Sequence, residues 1–380
     1  MNTQDVLRNA QSVVIKVGTA LLVRMDAGGV KHEWLDAFAE DVKALTQQGK
    51  QVVIISSGAV AMGRSALNIP LDAAPRDIPL EKKQAASAVG QFHIFNAYFD
   101  SFSRHGLTLA QVLLTMSETE NRRMHLNARA TLNELMAYGI IPVINENDTI
   151  STGEIRFGDN DRLAARVAQM IGADAVILLS TTDGLYTANP DKDKAAQHIP
   201  VIETITDEHH KMAGEAIPGM STGGMKSKVE AARAAVAAGI HLIVADGRPS
   251  HALEALYESK SARTSLFLAG DNKKSAKKRW IGSHLAPKGV VIVDNGALSA
   301  LNAGKSLLPV GVHKVEGTFE RGDIVEIYSM ERRKLGMGVI AYASEDAQKL
   351  VGKNSAEIAD ILGYAGRSEL IHRNDMVFNS

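Results

Sequence analysis

Short apolar runs alternate, up to residue 270, with segments whose apolar positions recur every three or four residues. The runs predict buried strands, and they are Ser12–Val17, Gln51–Ser56, Leu107–Leu114, Ile140–Asn145, Asp174–Leu179 and His241–Ala245. The segments between them predict amphipathic helices, among them Glu33–Gln47, Gln84–Ser103, Glu118–Ala137, Arg162–Ile171 and Met225–Ala238. Strands that are apolar throughout are typical of sheets covered on both faces. The pattern therefore predicts an α/β fold, with a mostly parallel open sheet sandwiched by helices.

The pattern changes near residue 271. Residues 271–283 begin DNKKSAKKRW, which is polar and basic and predicts a linker. Shorter strand-like pieces separated by glycines follow it, namely GVVIVD, GVHKVEG, GDIVEIY and KLGMGVIAY. We therefore expect one large domain over 1–270, the linker, and a small β-rich domain over 284–380, which is an ordinary domain size.

Composition excludes several classes of protein. The 380 residues are 45% hydrophobic, carry a formal net charge of −1 and include no cysteine. Disulfides, thiolate nucleophiles and cysteine-based zinc sites are therefore excluded, and no global charge directs the protein to nucleic acid. The N-terminus has no long apolar stretch of the signal-peptide kind, and no window approaches the ~20 apolar residues of a membrane span. We expect a cytoplasmic protein with no membrane partner.

Small or polar residues follow four of the predicted strands. These strand-end clusters are Lys16-Val17-Gly18-Thr19, Ser56-Ser57-Gly58-Ala59, Asn145-Glu146-Asn147-Asp148 and Ser180-Thr181. In open α/β sheets, ligands bind beyond the carboxyl ends of the strands. The sequence therefore predicts a binding site at this edge of the sheet.

A further candidate lies in residues 221–232, STGGMKSKVEAA, where a glycine pair precedes an alanine-rich helix. The free N–H groups of a helix start, together with the helix dipole, favour a phosphate group. Lys226 and Lys228 in the first turn oppose that dipole, so a phosphate partner would explain them; a tight turn with a solvated lysine is the alternative. A Walker loop is excluded, because the nearest approach, Ala303–Ser306, has Ser at position 299 where a glycine is needed. A strand-end GxGxxG is also absent, which disfavours a dinucleotide enzyme.

These residue types suit phosphoryl transfer, which needs positioning and positive charge aimed at the transferring group. Lys16 and Lys228 could approach the phosphates from different sides, and Asp161 could hold both ammonium groups. Gly18 and Gly58 would let backbone N–H groups come close to phosphate oxygens, and Mg²⁺ would bridge the nucleotide phosphates.

Two acid–amide clusters, NEND and GDND, suit an amino-acid acceptor. Asp148 can pair with its ammonium group, while Asn145, Asn160 and the Ser57 hydroxyl can donate to its carboxylates without charge repulsion. Any one of these residues could instead cap a strand or a helix. Both clusters together with the two lysines favour a site.

At the level of motifs the chain resembles the glutamate 5-kinase family, amino-acid kinases of proline synthesis. The resemblance covers nearly the whole chain and rests on IKVGT, SSGAVAMGR, QAASAVGQ, LLTMSETENRRMHLNARATL, IPVINENDTIS, GDNDRLAA, GLYTANP and TGGMKSKVEAA, in this order. The C-terminal part, from about RWIGSHLAPKG to ILGY, resembles the PUA domain that many bacterial members carry. The resemblance implies an amino-acid kinase fold and transfer of phosphate from ATP, with Mg²⁺, to L-glutamate.

The resemblance also implies roles for particular residues. Lys16 and Lys228 would bind the ATP phosphates and Asp161 would organise them, while Ser57, Asp148 and Asn160, with Asn145 added, would bind glutamate. The nucleotide-binding positions would be Ser180, Thr181, Thr222, Gly223, Gly224, Met225, Lys226 and Ser227. Ser180-Thr181 departs from the family's usual Thr-Asp, and Ser221 stands where many members have Gly. Members are usually inhibited by proline at or near the glutamate pocket and are commonly dimers or tetramers.

Two alternatives remain at this stage. A sibling amino-acid kinase could use N-acetylglutamate or another acidic acceptor, although a free ammonium, unlike an acetylated nitrogen, calls for an acid such as Asp148. An RNA-binding regulatory protein could retain the kinase fold as a remnant, with the basic cluster Lys273–Arg279 touching RNA. Charge runs are usually solvated, and Trp280 is the nearby aromatic residue, so the sequence disfavours RNA as a partner.

Overall fold

The computed structural model describes residues 1–24, 28–70, 73–74, 77–151, 159–190, 192–214, 224–258, 262–270 and 287–378. The chain divides into two compact units, one formed by 1–121 and 127–273 and the other by 122–126 and 274–380. The predicted linker, 271–283, lies outside the described residues. The inclusion of 122–126 in the second unit was not predicted from the sequence.

An eight-stranded sheet forms the centre of the first unit. Its strands are β1 (Ser12–Val17), β2 (Gln51–Ile55), β3 (Leu109–Leu114), β4 (Ile141–Glu146), β5 (Ala175–Ser180), β8 (Val201–Ile202), β9 (His241–Asp246) and β10 (Thr264–Phe267). They lie in the order β3-β4-β2-β1-β5-β9-β10-β8. From β3 to β9 every pairing is parallel, and β10 runs antiparallel to β9. β6 (Leu185–Tyr186) and β7 (His198–Ile199) form a separate antiparallel pair.

Helices lie along the chain between these strands. They are α1 (Thr3–Asn9), α2 (Thr19–Leu22), α3 (His32–Gln47), α4 (Ala59–Ala66), α5 (Leu80–Arg104), α6 (Met116–Glu120), α7 (Arg122–Ala137), α8 (Asp159–Ile171), α9 (Asp207–Met212), α10 (Met225–Ala237) and α11 (Ala252–Glu258). Val13 and Ile15 of β1 belong to one hydrophobic core, and Val14 belongs to a second. Since successive side chains of a strand point to opposite faces, both faces of the sheet are buried. The predicted mostly parallel, doubly covered sheet is confirmed.

Two predictions for this unit were wrong in detail. The run Leu107–Leu114 was expected to be a buried strand, but in β3 the side chains of Gln111 and Leu113 are exposed. β3 lies at the edge of the sheet, so it is less covered than the central strands. The single helix predicted over Glu118–Ala137 is two helices, because Asn121 between α6 and α7 has an extended backbone (φ −72°, ψ 117°).

The second unit is built on a five-stranded sheet. Its strands, β11 (Gly289–Val293), β12 (Val312–Gly317), β13 (Ile324–Ser329), β14 (Lys334–Val339) and β15 (Met376–Phe378), lie in the order β12-β11-β13-β14-β15. β11 and β13 are parallel, and the other neighbours are antiparallel. The short helices α12 (Asn295–Asn302), α13 (Ser344–Lys349) and α14 (Ile358–Leu362) complete the unit. The small β-rich C-terminal domain is thus confirmed.

Helices α4 and α5 pack backbone against backbone, and two glycines make this possible. A Cβ atom on Gly63 would lie 1.7 Å from the carbonyl oxygen of Ala86, and one on Gly90 would lie 1.8 Å from that of Ala59. Neither distance is compatible with a side chain. Because α4 begins directly after Gly58, which has φ +96°, this packing ties α5 to the turn that follows β2.

Lys50 stabilises the N-terminal helix in the first unit. Its buried ammonium group donates to the carbonyl oxygens of Leu7 (3.0 Å), Arg8 (3.1 Å) and Ala10 (2.6 Å) at the end of α1. Burial lowers its pKa, while the charge of Asp174 acts in the opposite direction. The last carbonyl groups of a helix lack partners within the helix, and a cation at that end is favourable.

We therefore expect Lys50→Met to lower the free energy of unfolding by about 1–3 kcal/mol, because buried carbonyl groups lose a charged donor. Urea unfolding of the variant and of the wild type at the same pH would measure this. The Lys82→Met variant, at an exposed lysine of α5, is the control and should change stability by less than about 0.5 kcal/mol. Equal stability of the Lys50 variant and the wild type would contradict the capping role.

Within the described residues, no helix is both long enough and apolar enough to cross a membrane.

Candidate active site

Four neighbouring parallel strands bring their carboxyl ends to one edge of the sheet. In the order β4-β2-β1-β5, they end at Glu146, Ile55, Val17 and Ser180. The residues predicted from the strand ends lie in or directly after these strands. The candidate site thus lies at the edge where open α/β sheets bind their ligands.

Asp161 is the centre of the first group of side chains. It lies in the first turn of α8, and its side chain is inaccessible to solvent. Oδ1 lies 2.8 Å from Nζ of Lys16, and Oδ2 lies 3.2 Å from Nζ of Lys228. The Ser227 hydroxyl also donates to Oδ2, at 2.8 Å. Strand β1, helix α8 and helix α10 therefore converge on one carboxylate.

The electrostatics of this group leave an excess of positive charge. Burial alone would raise the pKa of Asp161, but the charges of the two ammonium groups and the hydrogen bonds from Lys16 and Ser227 lower it to about 2. Burial lowers the pKa of Lys228; Asp161 raises it and Lys16 lowers it further. Two lysines, each less than 10% exposed, thus share one ionised carboxylate. Two buried cations that share one carboxylate favour an anionic ligand beside them.

The second group contains the predicted acceptor residues. Asn145 is buried at the end of β4, and its side-chain nitrogen donates to Oε1 of Gln91. Nδ2 of Asn160 donates to Oδ1 of Asn145 (3.2 Å) and to the Ser57 hydroxyl (3.3 Å). Asp148 is also buried and accepts a hydrogen bond from the Ser87 hydroxyl at 2.6 Å. Asn145, Asn160 and Ser57 are thus one connected set, in which Asn160 is the central residue.

The two groups meet in helix α8. Asn160 contacts Asn145 and Ser57, and we call these three residues the amide cluster. The next residue, Asp161, contacts the lysine pair. Sequence reasoning predicted both sets but not their direct junction. The signal was present in GDND, where the two residues are adjacent.

The predicted nucleotide positions are only partly described. Thr222 and Gly223 lie outside the described residues. Gly224 is the N-cap of α10, Lys226 is exposed, and Ser227 donates both to Asp161 and to the Gly224 carbonyl oxygen (3.0 Å). Ser180 ends β5 half-buried and Thr181 is exposed. Met225, the first residue of α10, is half-buried.

The two strand-end glycines differ in what they offer. The Gly18 N–H donates to the carbonyl oxygen of Leu179 in β5 (3.1 Å), so it connects neighbouring strands instead of pointing freely at a ligand. The close approach of other backbone N–H groups to phosphate oxygens at this turn stays a prediction. Gly58 has a left-handed backbone, and a Cβ atom there would lie 2.9 Å from Val23. It serves the sharp turn that leads from Ser57 into α4.

Sequence reasoning missed Ser87 and Gln91, both on the buried face of α5. Each contacts a predicted acceptor residue, Asp148 and Asn145 respectively. The available signal was a polar residue recurring at helical spacing inside QAASAVGQ.

Asp41, His251 and Glu254 have the spacing of a metal site among the described residues. The hydrogen bonds explain the cluster without an ion. Oδ1 of Asp41 lies 2.8 Å from Nδ1 of His251, and Oδ2 accepts from the N–H groups of Leu253 (3.0 Å) and Glu254 (3.3 Å). Asp41 therefore caps the start of α11.

Comparison with known proteins identifies the family of each domain. The family model described as "Amino acid kinase family" matches residues 11–246, and the model described as "PUA domain" matches residues 289–362. A fold and site of this kind define an amino-acid kinase with a C-terminal PUA domain.

Curated relatives narrow the class further. The glutamate 5-kinase of Sinorhizobium fredii is 48% identical over 374 residues, which cover 98% of this chain and 93% of the relative. That of a Ruegeria species is 49% identical, with 97% of this chain and 99% of the relative covered. Among solved structures, UMP kinase from Bacillus anthracis is similar to 68% of this chain, with 96% of its own chain covered, 12% identity and a TM-score of 0.47. The chain belongs to the glutamate 5-kinase family.

Proposed function

We propose that this protein transfers the γ-phosphoryl group of ATP to the side-chain carboxylate of L-glutamate, giving L-glutamyl 5-phosphate and ADP. The observation that carries the proposal is the junction in α8, where Asn160 joins the amide cluster and Asp161 joins the two lysines. A phosphate donor and an amino-acid acceptor would thereby be held by adjacent residues. The curated relatives named glutamate 5-kinase support the same reaction.

The lysines would act on the transferring group. An oxygen of the glutamate side-chain carboxylate attacks the γ-phosphorus, and the bond from that phosphorus to the bridging oxygen of ADP breaks. Negative charge spreads over the oxygens of the transferring group. Lys16 and Lys228 would stabilise this charge from β1 and from α10. Asp161 would keep both ammonium groups in place before the substrates arrive, so that little reorganisation is needed during the reaction.

Mg²⁺ would enter with the nucleotide. Both oxygens of Asp161 are engaged by Lys16, Lys228 and Ser227, so this carboxylate is poorly suited to a further ligand. Phosphate oxygens are hard ligands of the kind that Mg²⁺ prefers, and a nucleotide can supply them. When bound there, the ion neutralises part of the phosphate charge. The start of α10, from Gly224 to Ser227, would receive the phosphates at the positive end of the helix dipole.

The acceptor pocket would recognise a free amino acid. Asp148 would pair with the substrate ammonium. Because Nδ2 of Asn160 is engaged by Asn145 and Ser57, the open group of Asn160 is its carbonyl oxygen, which is buried without a hydrogen-bond partner among the described residues. A carbonyl oxygen accepts hydrogen bonds, so it too suits an ammonium group. Proline shares the ammonium and α-carboxylate groups of glutamate, and we propose that it inhibits by competing for this pocket. We also propose that the protein forms a dimer or a tetramer.

A hydroxylamine assay tests the proposed reaction, because hydroxylamine traps an acyl phosphate as a hydroxamate. We expect hydroxamate from ATP with L-glutamate, and none with N-acetylglutamate, which lacks the ammonium group. Asp148→Asn should raise the KM for glutamate about 10–100-fold and leave the KM for ATP nearly unchanged, since a charged pairing is lost at the acceptor alone. Hydroxamate from N-acetylglutamate, or an equal rise in both KM values, would contradict the acceptor assignment.

A further inference from the structure

Three polar side chains on one face of helix α5 contact residues 145–151, which lie at the end of β4 and directly after it. Nε2 of Gln84 donates to the carbonyl oxygen of Ser151 (3.0 Å), the Ser87 hydroxyl donates to Asp148, and Oε1 of Gln91 accepts from Asn145. Residues 84, 87 and 91 are spaced by three and four, so they share one helix face. Their partners follow in the reverse order, 151, 148 and 145. We call these three contacts the α5 ladder.

Two contacts of the ladder reach residues of the proposed acceptor pocket itself. Ser87 and Asp148 are both less than 10% exposed, and their 2.6 Å hydrogen bond joins a hydroxyl to a carboxyl group. Hydrogen bonds to an ionised carboxylate are stronger than those between neutral groups. In a buried setting such a bond fixes the direction in which the carboxylate points.

Gln91 acts on the amide cluster in a similar way. Because Nδ2 of Asn145 donates to Gln91, Oδ1 of Asn145 is the atom that faces Nδ2 of Asn160. That contact in turn leaves the carbonyl oxygen of Asn160 as its open group. One helix residue thus determines which atoms of two asparagines are offered to a ligand.

The helix that carries the ladder is itself firmly placed. Gly90 lies between Ser87 and Gln91 in the sequence and allows the direct backbone contact with Ala59 of α4 described above. This contact holds α5, and with it the α5 ladder, against the start of α4, directly after the turn that contains Ser57. A side chain cannot be added at this contact without displacing α5.

We propose that Ser87 and Gln91 are positioning residues of the acceptor pocket, which orient Asp148 and the Asn145–Asn160 pair for the ammonium group of an amino-acid substrate. This inference rests on the proposed function. Neither residue needs to touch the substrate or the transferring phosphoryl group. Removing either contact should therefore weaken acceptor binding without affecting the lysine pair.

The test is the steady-state kinetics of Ser87→Ala in the full-length protein with the hydroxamate readout. Alanine is the best helix former, so the variant should fold. We expect the KM for glutamate to rise about tenfold, which corresponds to about 1.4 kcal/mol, with kcat within about twofold of the wild type and the KM for ATP unchanged. Gln91→Met, which keeps the length of the side chain but removes the acceptor atom, should show the same split.

Ser101→Ala is the matched control. Ser101 is a fully buried serine of the same helix that donates to a carboxylate, that of Asp36, outside the ladder. We expect its loss to leave the KM for glutamate unchanged. A double-mutant cycle adds a second readout: on an Asp148→Asn background, Ser87→Ala should raise the KM little further, because the group that it orients has lost its charge.

The outcomes separate this inference from the proposed function. A wild-type protein that makes no hydroxamate from glutamate overturns both. An active wild type with an unchanged KM in Ser87→Ala and Gln91→Met overturns the positioning role alone. Equal KM effects in Ser87→Ala and Ser101→Ala also overturn it, because a general loosening of α5 would then be the cause.

Discussion

Lys228→Met should lower kcat by about 10²–10³-fold while the protein stays folded. Removal of one preorganised donor to a developing negative charge typically has an effect of this size. Lys228 is buried beside Asp161, and methionine fills a similar volume without the ammonium group. Asp161 would retain its contacts with Lys16 and Ser227. The fall should appear in kcat more than in the KM for glutamate, since the charge it stabilises develops in the transition state.

Arg233→Met is the control for this prediction. Arg233 is an exposed cation farther along the same helix, where it pairs with exposed Asp207 at 3.3 Å. Its loss should change neither kcat nor either KM beyond about twofold. Circular dichroism and urea unfolding should show that both variants are folded. Near-normal turnover by a folded Lys228→Met protein would show that this lysine does not stabilise the transition state.

Much of the fold could be predicted because burial dictates residue type. The central strands carry apolar residues on both faces. β1 runs from Ser12 to Val17, which is the range that the sequence predicts. β3 has a similar apolar run, but its position at the edge of the sheet depends on strand order, which a local pattern does not encode. The break at Asn121 carries no glycine or proline, so periodicity alone did not reveal it.

The meeting of the candidate site residues was predictable where it follows from topology. Lys16, Asp161 and Lys228 are far apart in sequence, yet parallel strands and the helices that follow them bring such residues to the same edge. The α5 ladder was not predictable in this way. Ser87 and Gln91 lie on a helix face that packs inward, and a polar residue there is recognisable only once its partner is known. The orientation of Asn160 likewise depends on Asn145 and Ser57, which lie on two other strand ends.

Asp161→Asn should have the largest effect on stability among the variants considered. Breaking a buried ion pair by removing one partner typically lowers the free energy of unfolding by about 3–5 kcal/mol, and here two buried lysines lose their common counter-ion. The amide has nearly the same shape, so the loss is electrostatic. Urea unfolding at neutral pH would measure it, and activity should fall as well.

The stability that the ionised Asp161 carboxylate contributes should depend on pH. The pKa of Asp161 is about 2 in the folded protein and about 3.9 in an unfolded chain. A lowered folded pKa means that the stabilisation is complete above the unfolded value and is lost as the pH falls through the folded one. The difference in stability between the wild type and Asp161→Asn should therefore be constant from neutral pH to about pH 5 and should shrink between about pH 4 and pH 2.

A second substitution, added to Asp161→Asn, tests whether the stability is lost because charged lysines remain buried without the Asp161 carboxylate. In the double variant Lys16→Met and Asp161→Asn, one of the two ammonium groups that faced the Asp161 carboxylate is gone, so part of the stability lost in Asp161→Asn should return. ATP should also raise the midpoint of unfolding more for Asp161→Asn than for the wild type, because its phosphates would supply the missing negative charge. A double variant less stable than Asp161→Asn, with a stability difference independent of pH, would show that Asp161 stabilises the protein by packing and not by charge. The arrangement would then be a structural feature of α8, and the excess positive charge assigned to the phosphate site would lose its physical basis.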